Sequence, residues 1–219
     1  MIKFLKYLTQ SIIIYSLFIF GKIIGLQKSQ NVFSKIFQII GPNFRSSKTI
    51  NRNLEKFDSN ISESKKKEIT LQMWSNYGKT FIEYIFLNEY KKSNNHVEII
   101  NQNILDEINE KNEQVIFVSG HFANYEIMSM EITKHKIKLA TIYRPLNNYF
   151  LNPIMEYLRK KYVCKYQIKK GKSGVRNAVD YINKGYSIAL MIDQRVSEGE
   201  PVNFFNLPAL TTTLPAQLS

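Results

Sequence analysis

From Asn95 to the carboxyl end, short apolar runs alternate with segments of helical periodicity, and no other feature of the chain restricts its fold as much. The runs Gln114–Ser119, Ile137–Tyr143, Tyr162–Ile168 and Ser187–Ile192 read as strands, with His96–Ile100 as an edge strand before them. Asn124–Lys134, Asn152–Lys160 and Ser173–Lys184 suit crossover helices. Strand, helix, strand in repetition predicts an α/β fold in which a largely parallel sheet is flanked by helices. The preceding region is helical. Ser29–Ile40 is amphipathic and stops at Gly41-Pro42, a second helix runs from Ser46 to Phe57, and Ser62 caps a long helix reaching toward Tyr90. The stripe Ile69, Met73, Tyr77, Phe81 and Tyr84 on that helix reads as packing surface.

The 219 residues suffice for one good core. Three regions are expected: a membrane-anchoring helix over 1–27, a helical amino-terminal region over 28–95 and an α/β core over 96–219. After Asp193 only a short apolar stretch around Phe204-Phe205 and a helix start at Leu214-Pro215 remain. The core is therefore expected to be truncated at its carboxyl terminus, and the chain to be a fragment that is poorly soluble or inactive.

Leu8–Leu26 is mostly apolar, preceded by Lys3 and Lys6 and broken by Lys22. A membrane span needs about 20 apolar residues, and Lys22 near the far end can snorkel to the head groups. A single span and a helix lying in the interface both fit, and a buried core helix is a third arrangement of the same pattern. No small-residue cleavage site follows the run, which argues against a signal peptide.

A formal charge of +12 favours an anionic partner, whether nucleic acid, acidic lipid or an acidic carrier protein. The basic residues are dispersed and no nucleic-acid-binding fold is recognisable, so nucleic acid is set aside. The single cysteine, Cys164, excludes an internal disulfide and lies in an apolar run, where it reads as a core residue. His96, His121 and His135 lack paired-ligand spacing, so no metal is expected. Gly171-Lys172-Ser173 lacks the earlier glycine of a phosphate-binding loop, since position 166 is Tyr, and Ser119 lacks the glycine of a nucleophile elbow, since position 117 is Phe.

The segment Gly120-His121-Phe122-Ala123-Asn124-Tyr125-Glu126 falls where a buried strand gives way to a helix. On a regular helix a five-residue step would separate the histidine and the glutamate by ~140°. His121 therefore belongs in the turn before the helix, with Glu126 in its first turns reaching back. There the positive helix end disfavours imidazolium and keeps one ring nitrogen ready to accept a proton. Glu126 is expected to hold the other nitrogen and offset the charge. The same residues also fit a histidine satisfied by backbone and a glutamate on a wet helix face.

In open parallel sheets, ligands collect beyond the carboxyl ends of the strands. His121 follows the first long strand, Tyr143-Arg144-Pro145 closes the second, and Asp193-Gln194 closes the last. A base, a cation with bidentate reach and a second carboxylate beside a membrane anchor point to an enzyme acting on an anionic, hydroxyl-bearing lipid. A structural ion pair between Arg144 and Asp193 is the alternative.

These blocks resemble the lipid A biosynthesis acyltransferases, late acyltransferases of the wider lysophospholipid acyltransferase superfamily. Asn53-Leu54 with Met73-Trp74-Ser75-Asn76-Tyr77-Gly78-Lys79-Thr80-Phe81-Ile82-Glu83 resembles the family's amino-terminal helical signature. Gly120 to Glu126 matches its motif of a histidine and an acid separated by four residues, with Glu where glycerolipid enzymes usually carry Asp. Tyr143-Arg144-Pro145, Ile192-Asp193-Gln194 and Phe204 to Thr212 match three further blocks in order, although Asn206 stands where the family usually has glycine. The resemblance implies transfer of an acyl chain from an acyl carrier protein thioester to a hydroxyl of an anionic, glucosamine-based lipid A precursor. The place is the cytoplasmic face of the inner membrane, and no metal or cofactor is used. His121 and Glu126 are then the catalytic pair, and Asn124, Tyr143, Arg144, Arg159, Asp193, Gln194 and Thr211 the substrate-binding residues. Another lipid acceptor, an acyl coenzyme A donor, or an inactive membrane-bound fragment are the alternatives.

Overall fold

The apolar amino-terminal segment is helical from Ile2 to Ile24 (α1) and is followed by α2 (Leu26–Ile40), α3 (Ser47–Phe57), α4 (Glu63–Glu83) and α5 (Leu87–Lys92) in a computed structural model that describes residues 1–194, 196 and 199–219, Lys172 by its backbone alone. On α1, Ser11, Phe18 and Gly21 are buried at steps of seven and three, so one stripe of the helix packs inward. Ile12, Ile13, Ile19 and Ile23 stay exposed on the rest of its surface. The chain divides into one unit of residues 14–86 and 201–209 and another of 1–13, 87–200 and 210–219.

In the first unit α2 lies along α4. The Phe81 ring meets Phe18, Phe33 and Phe37 at centroid distances of 5.1, 5.9 and 5.4 Å. A Cβ on Gly78 would stand 2.2 Å from the Phe33 carbonyl oxygen, so glycine is what allows the two helices to approach there. Ser62 caps α4 as expected, its Oγ accepting from the Lys65 N–H at 3.3 Å. The expected single helix to Tyr90 is instead interrupted by a 3₁₀ turn at Tyr84–Phe86, next to the fully buried Leu87.

The second unit holds a sheet of four parallel strands, β1 (Ile116–Ser119), β2 (Leu139–Tyr143), β3 (Tyr166–Lys169) and β4 (Ser187–Met191), in the order β1-β4-β2-β3. The central strands β2 and β4 are buried along most of their length, which is why their sequences read as unbroken apolar runs. Ala140, Ile168, Ala178, Ile188 and Leu190 form the core, which Leu218 of the short α10 (Leu214–Leu218) joins.

The connecting helices are α6 (Gln102–Glu110) before β1, α7 (Glu126–Lys134), α8 (Asn152–Leu158) and α9 (Lys172–Asn183). Two expectations fail here. Residues 96–100 form no strand; the His96 ring packs edge-on against Tyr90 of α5 at 5.2 Å, which holds the segment to a helix. The segment 159–163 is a π turn continuing α8, with Arg159 and Val163 both buried, so β3 starts four residues later than the apolar pattern indicated. Cys164 is a core residue whose thiol burial pushes up, and it donates to the Leu139 carbonyl at 3.1 Å.

A two-stranded hairpin, β5 (Glu200–Phe204) and β6 (Leu207–Thr211), precedes α10. Its connecting residues Phe205 and Asn206 are both left-handed, at φ +50° and +59°. A two-residue hairpin loop of this hand favours Asn or Gly, and Asn206 supplies one of its two positions.

Candidate active site

Parallel pairing of β1 with β4 decides which residues meet. Ser119 is level with Met191, and the Ile192 N–H donates to the Ser119 carbonyl at 2.9 Å, so Gly120-His121 and Asp193-Gln194 leave the sheet side by side. Asp193 accepts twice from His121. Its Oδ2 takes the backbone N–H at 2.7 Å and its Oδ1 lies 2.7 Å from Nδ1. A Cβ on Gly120 would meet the Phe122 ring at 2.8 Å and the Asp193 carboxyl carbon at 3.3 Å, so glycine also clears the space for this approach. Partial burial opposes ionisation of Asp193, but the backbone and ring hydrogen bonds from His121 outweigh it and hold the carboxyl below its usual range.

The other ring nitrogen, Nε2, faces the Gln194 amide at 3.4 Å, and the ring stands edge-on to Tyr125 at 4.7 Å. The expected bond from Glu126 to the histidine ring is therefore replaced by one from Asp193. Glu126 opens α7 and is buried, its Oε1 accepting from Arg159 Nε at 2.8 Å and from Nη2 at 2.7 Å. The reason is topological. A left-handed residue, Ala123 at φ +43°, turns the chain between the two, and the glutamate enters the layer where the π turn supplies a guanidinium. This corrects one further reading, since Asp193 is engaged by His121 and not by Arg144; Arg159, in the cavity wall, gives two of its donors to a protein carboxylate.

His121, Glu126, Tyr143, Arg144, Arg159 and Gln194 line one cavity of about 320 Å³ at the carboxyl edge of the sheet. The Tyr143 hydroxyl donates to Glu156 Oε1 at 2.6 Å; burial, and then that bond, push its pKa up, while the bond lowers that of Glu156. Of the expected substrate-binding residues, Asn124 and Thr211 are not among the lining side chains, whereas Thr212 is. Lys170 lines the cavity as well and was missed. It follows β3 directly, its N–H donating to the Tyr143 carbonyl at 2.8 Å, so the strand-end rule that selected Arg144 would also have selected it.

The arrangement sets a histidine oriented by a carboxylate at the wall of a cavity that two exposed cations, Arg144 and Lys170, also line. Such a site can remove a proton from a hydroxyl of an anionic molecule. In comparison with known proteins, the profile of the bacterial lipid A biosynthesis acyltransferases matches residues 2–219. No curated protein matches the chain.

Proposed function

The chain belongs to the bacterial lipid A biosynthesis acyltransferases and is an O-acyltransferase of that pathway; from this we propose that it moves a fatty acyl chain from an acyl carrier protein thioester to a hydroxyl of a phosphorylated glucosamine lipid, with His121 as general base. The observation that carries this reading is the His121–Asp193 pair on the cavity wall. With Asp193 accepting from Nδ1, the ring proton sits on Nδ1 and the lone pair on Nε2. Nε2 takes the proton of the acceptor hydroxyl as its oxygen attacks the thioester carbonyl. The new O–acyl bond forms, the C–S bond breaks, and the departing thiolate recovers the proton from His121, so no acyl-enzyme is needed.

The amino end of α7, which no side chain caps, offers N–H groups to the developing oxyanion. Glu126 is assigned an indirect part in catalysis, keeping the Arg159 guanidinium in the cavity wall. Arg144 and Lys170 are assigned to the acceptor phosphate or the donor's phosphopantetheine. The exposed apolar surface of α1 supports membrane association, and we assign it to the cytoplasmic face of the inner membrane because the proposed carrier-protein donor is found there.

The test is acyl transfer by purified His121→Ala and Asp193→Asn with an acyl carrier thioester and a lipid A precursor, the product being weighed by mass spectrometry. Loss of a general base costs about a hundredfold to ten-thousandfold in rate. Asp193→Asn should lose less, because an amide still orients the ring without offsetting its charge. A His121→Ala rate within a few-fold of the parent removes His121 from the mechanism.

A further inference from the structure

Although basic residues are dispersed over the chain as a whole, half of the twelve residues from Arg159 to Lys170 are basic and none is acidic. This stretch runs through the π turn and along β3, an edge strand of the sheet, and its five lysines, Lys160, Lys161, Lys165, Lys169 and Lys170, are all exposed. Glu156, 3.7 Å from Lys169 Nζ, is already bonded to Tyr143. With six basic residues and no acidic one in the stretch itself, its charge is strongly positive.

The charge is also held in place. Lys161 Nζ donates to the Tyr157 hydroxyl at 2.7 Å and lies 5.1 and 5.3 Å from the centres of the Tyr157 and Tyr162 rings, while Lys91 Nζ donates to the Lys161 carbonyl at 3.0 Å. No large aliphatic side chain between 159 and 170 is exposed, whereas Tyr157 is 51% exposed. A lysine-rich face with no exposed aliphatic side chains suits charge-steered docking of an acidic protein, whereas a membrane-inserting face presents apolar side chains. The same stretch supplies Arg159, Val163, Gln167 and Lys170 to the cavity wall.

We propose that the face formed by the π turn and β3 docks an acidic protein that delivers the acyl chain as a thioester; the proposal rests on the donor reading above and adds where the donor lands. A partner held there meets the site through a shared wall. Lysines on an edge strand also guard against sheet-to-sheet pairing, and the experiment separates the two roles.

The charge-reversal variant Lys160→Glu/Lys161→Glu/Lys165→Glu touches none of the residues assigned to catalysis or the cavity. In the full-length protein its KM for the acyl carrier thioester should rise about tenfold or more with little change in kcat, since charges around an interface act on encounter and register. Its rate with acyl-pantetheine, which has the thioester arm and no protein, should stay at the parental value. Added salt should raise the parental KM for the carrier and leave that of the variant nearly unchanged. An unchanged carrier KM overturns the docking proposal. With weaker binding to phosphatidylglycerol vesicles it assigns the face to lipid head groups; without that, to edge protection. A parent enzyme that uses acyl coenzyme A and not the carrier thioester sinks the donor reading, and a parent that uses the carrier as well as its variant does sinks the docking surface alone.

Discussion

At the scale of single residues, Asp193 has taken the part at the His121 ring that spacing assigned to Glu126. Asp193 is the acid bonded to His121, and because its pKa is depressed its contribution to stability is present above the ordinary carboxylate range and lost as pH falls through the folded value. Parent and Asp193→Asn should therefore differ in urea stability at neutral pH, and the difference should shrink below about pH 4, the ordinary range of an aspartate. A difference independent of pH would show that the charge of Asp193 stabilises nothing. Glu126 is buried against Arg159, and removing one member of a buried pair leaves an uncompensated charge. Arg159→Met should cost about 3–5 kcal/mol, and adding Glu126→Gln should recover much of that. Simple additivity in denaturant melts of the two single variants and the double variant would refute the coupling.

At the scale of elements, the loop after β2 is tied to the first helix. Asn148, 8% exposed, donates from Nδ2 to the Tyr7 carbonyl at 3.0 Å and accepts from Ser11 Oγ at 3.1 Å, while Phe4 packs edge-on against Phe150 at 5.4 Å. The same loop starts at Arg144. Asn148→Ala removes the tie to α1 and leaves the Phe150 N–H, which donates to Asn148 Oδ1 at 3.0 Å, without its acceptor, and should cost about 1–3 kcal/mol. Hydrogen exchange should speed up in 144–150 and at the start of α1 together, and faster exchange in only one of them would show that the two segments are not held by this residue.

At the scale of the whole molecule, a long apolar helix and a net charge of +12 both suit attachment to an anionic membrane. Ile12 and Ile19 are 58% and 64% exposed, so Ile12→Lys/Ile19→Lys should leave the melting temperature within a few degrees of the parent. A lysine at the centre of a membrane helix costs about 2.5–3.5 kcal/mol on insertion scales, and the variant should move from the membrane pellet to the supernatant. Continued sedimentation with membranes would assign the attachment to the basic surface of the folded body.

What the sequence determined by itself is what depends on near neighbours along the chain. The periodicity of the apolar runs specified four parallel strands and the helices between them, because burial on both faces of β2 and β4 leaves no polar positions to confuse the pattern. It failed where a local pattern met a tertiary demand: residues 96–100 went to a contact with Tyr90, and 159–163 went to a π turn that keeps Arg159 inward. The strand-end rule is enough to bring His121, Arg144 and Asp193 to one edge, since each follows the carboxyl end of a parallel strand. The partner of the histidine was decided only by the tertiary structure. Glu126 lies five positions from His121 and Asp193 lies 72, but hydrogen bonding between β1 and β4 sets the distant pair 2.7 Å apart while the turn at Ala123 carries the near one to Arg159. Spacing along a chain limits who can meet, and strand order and register select who does.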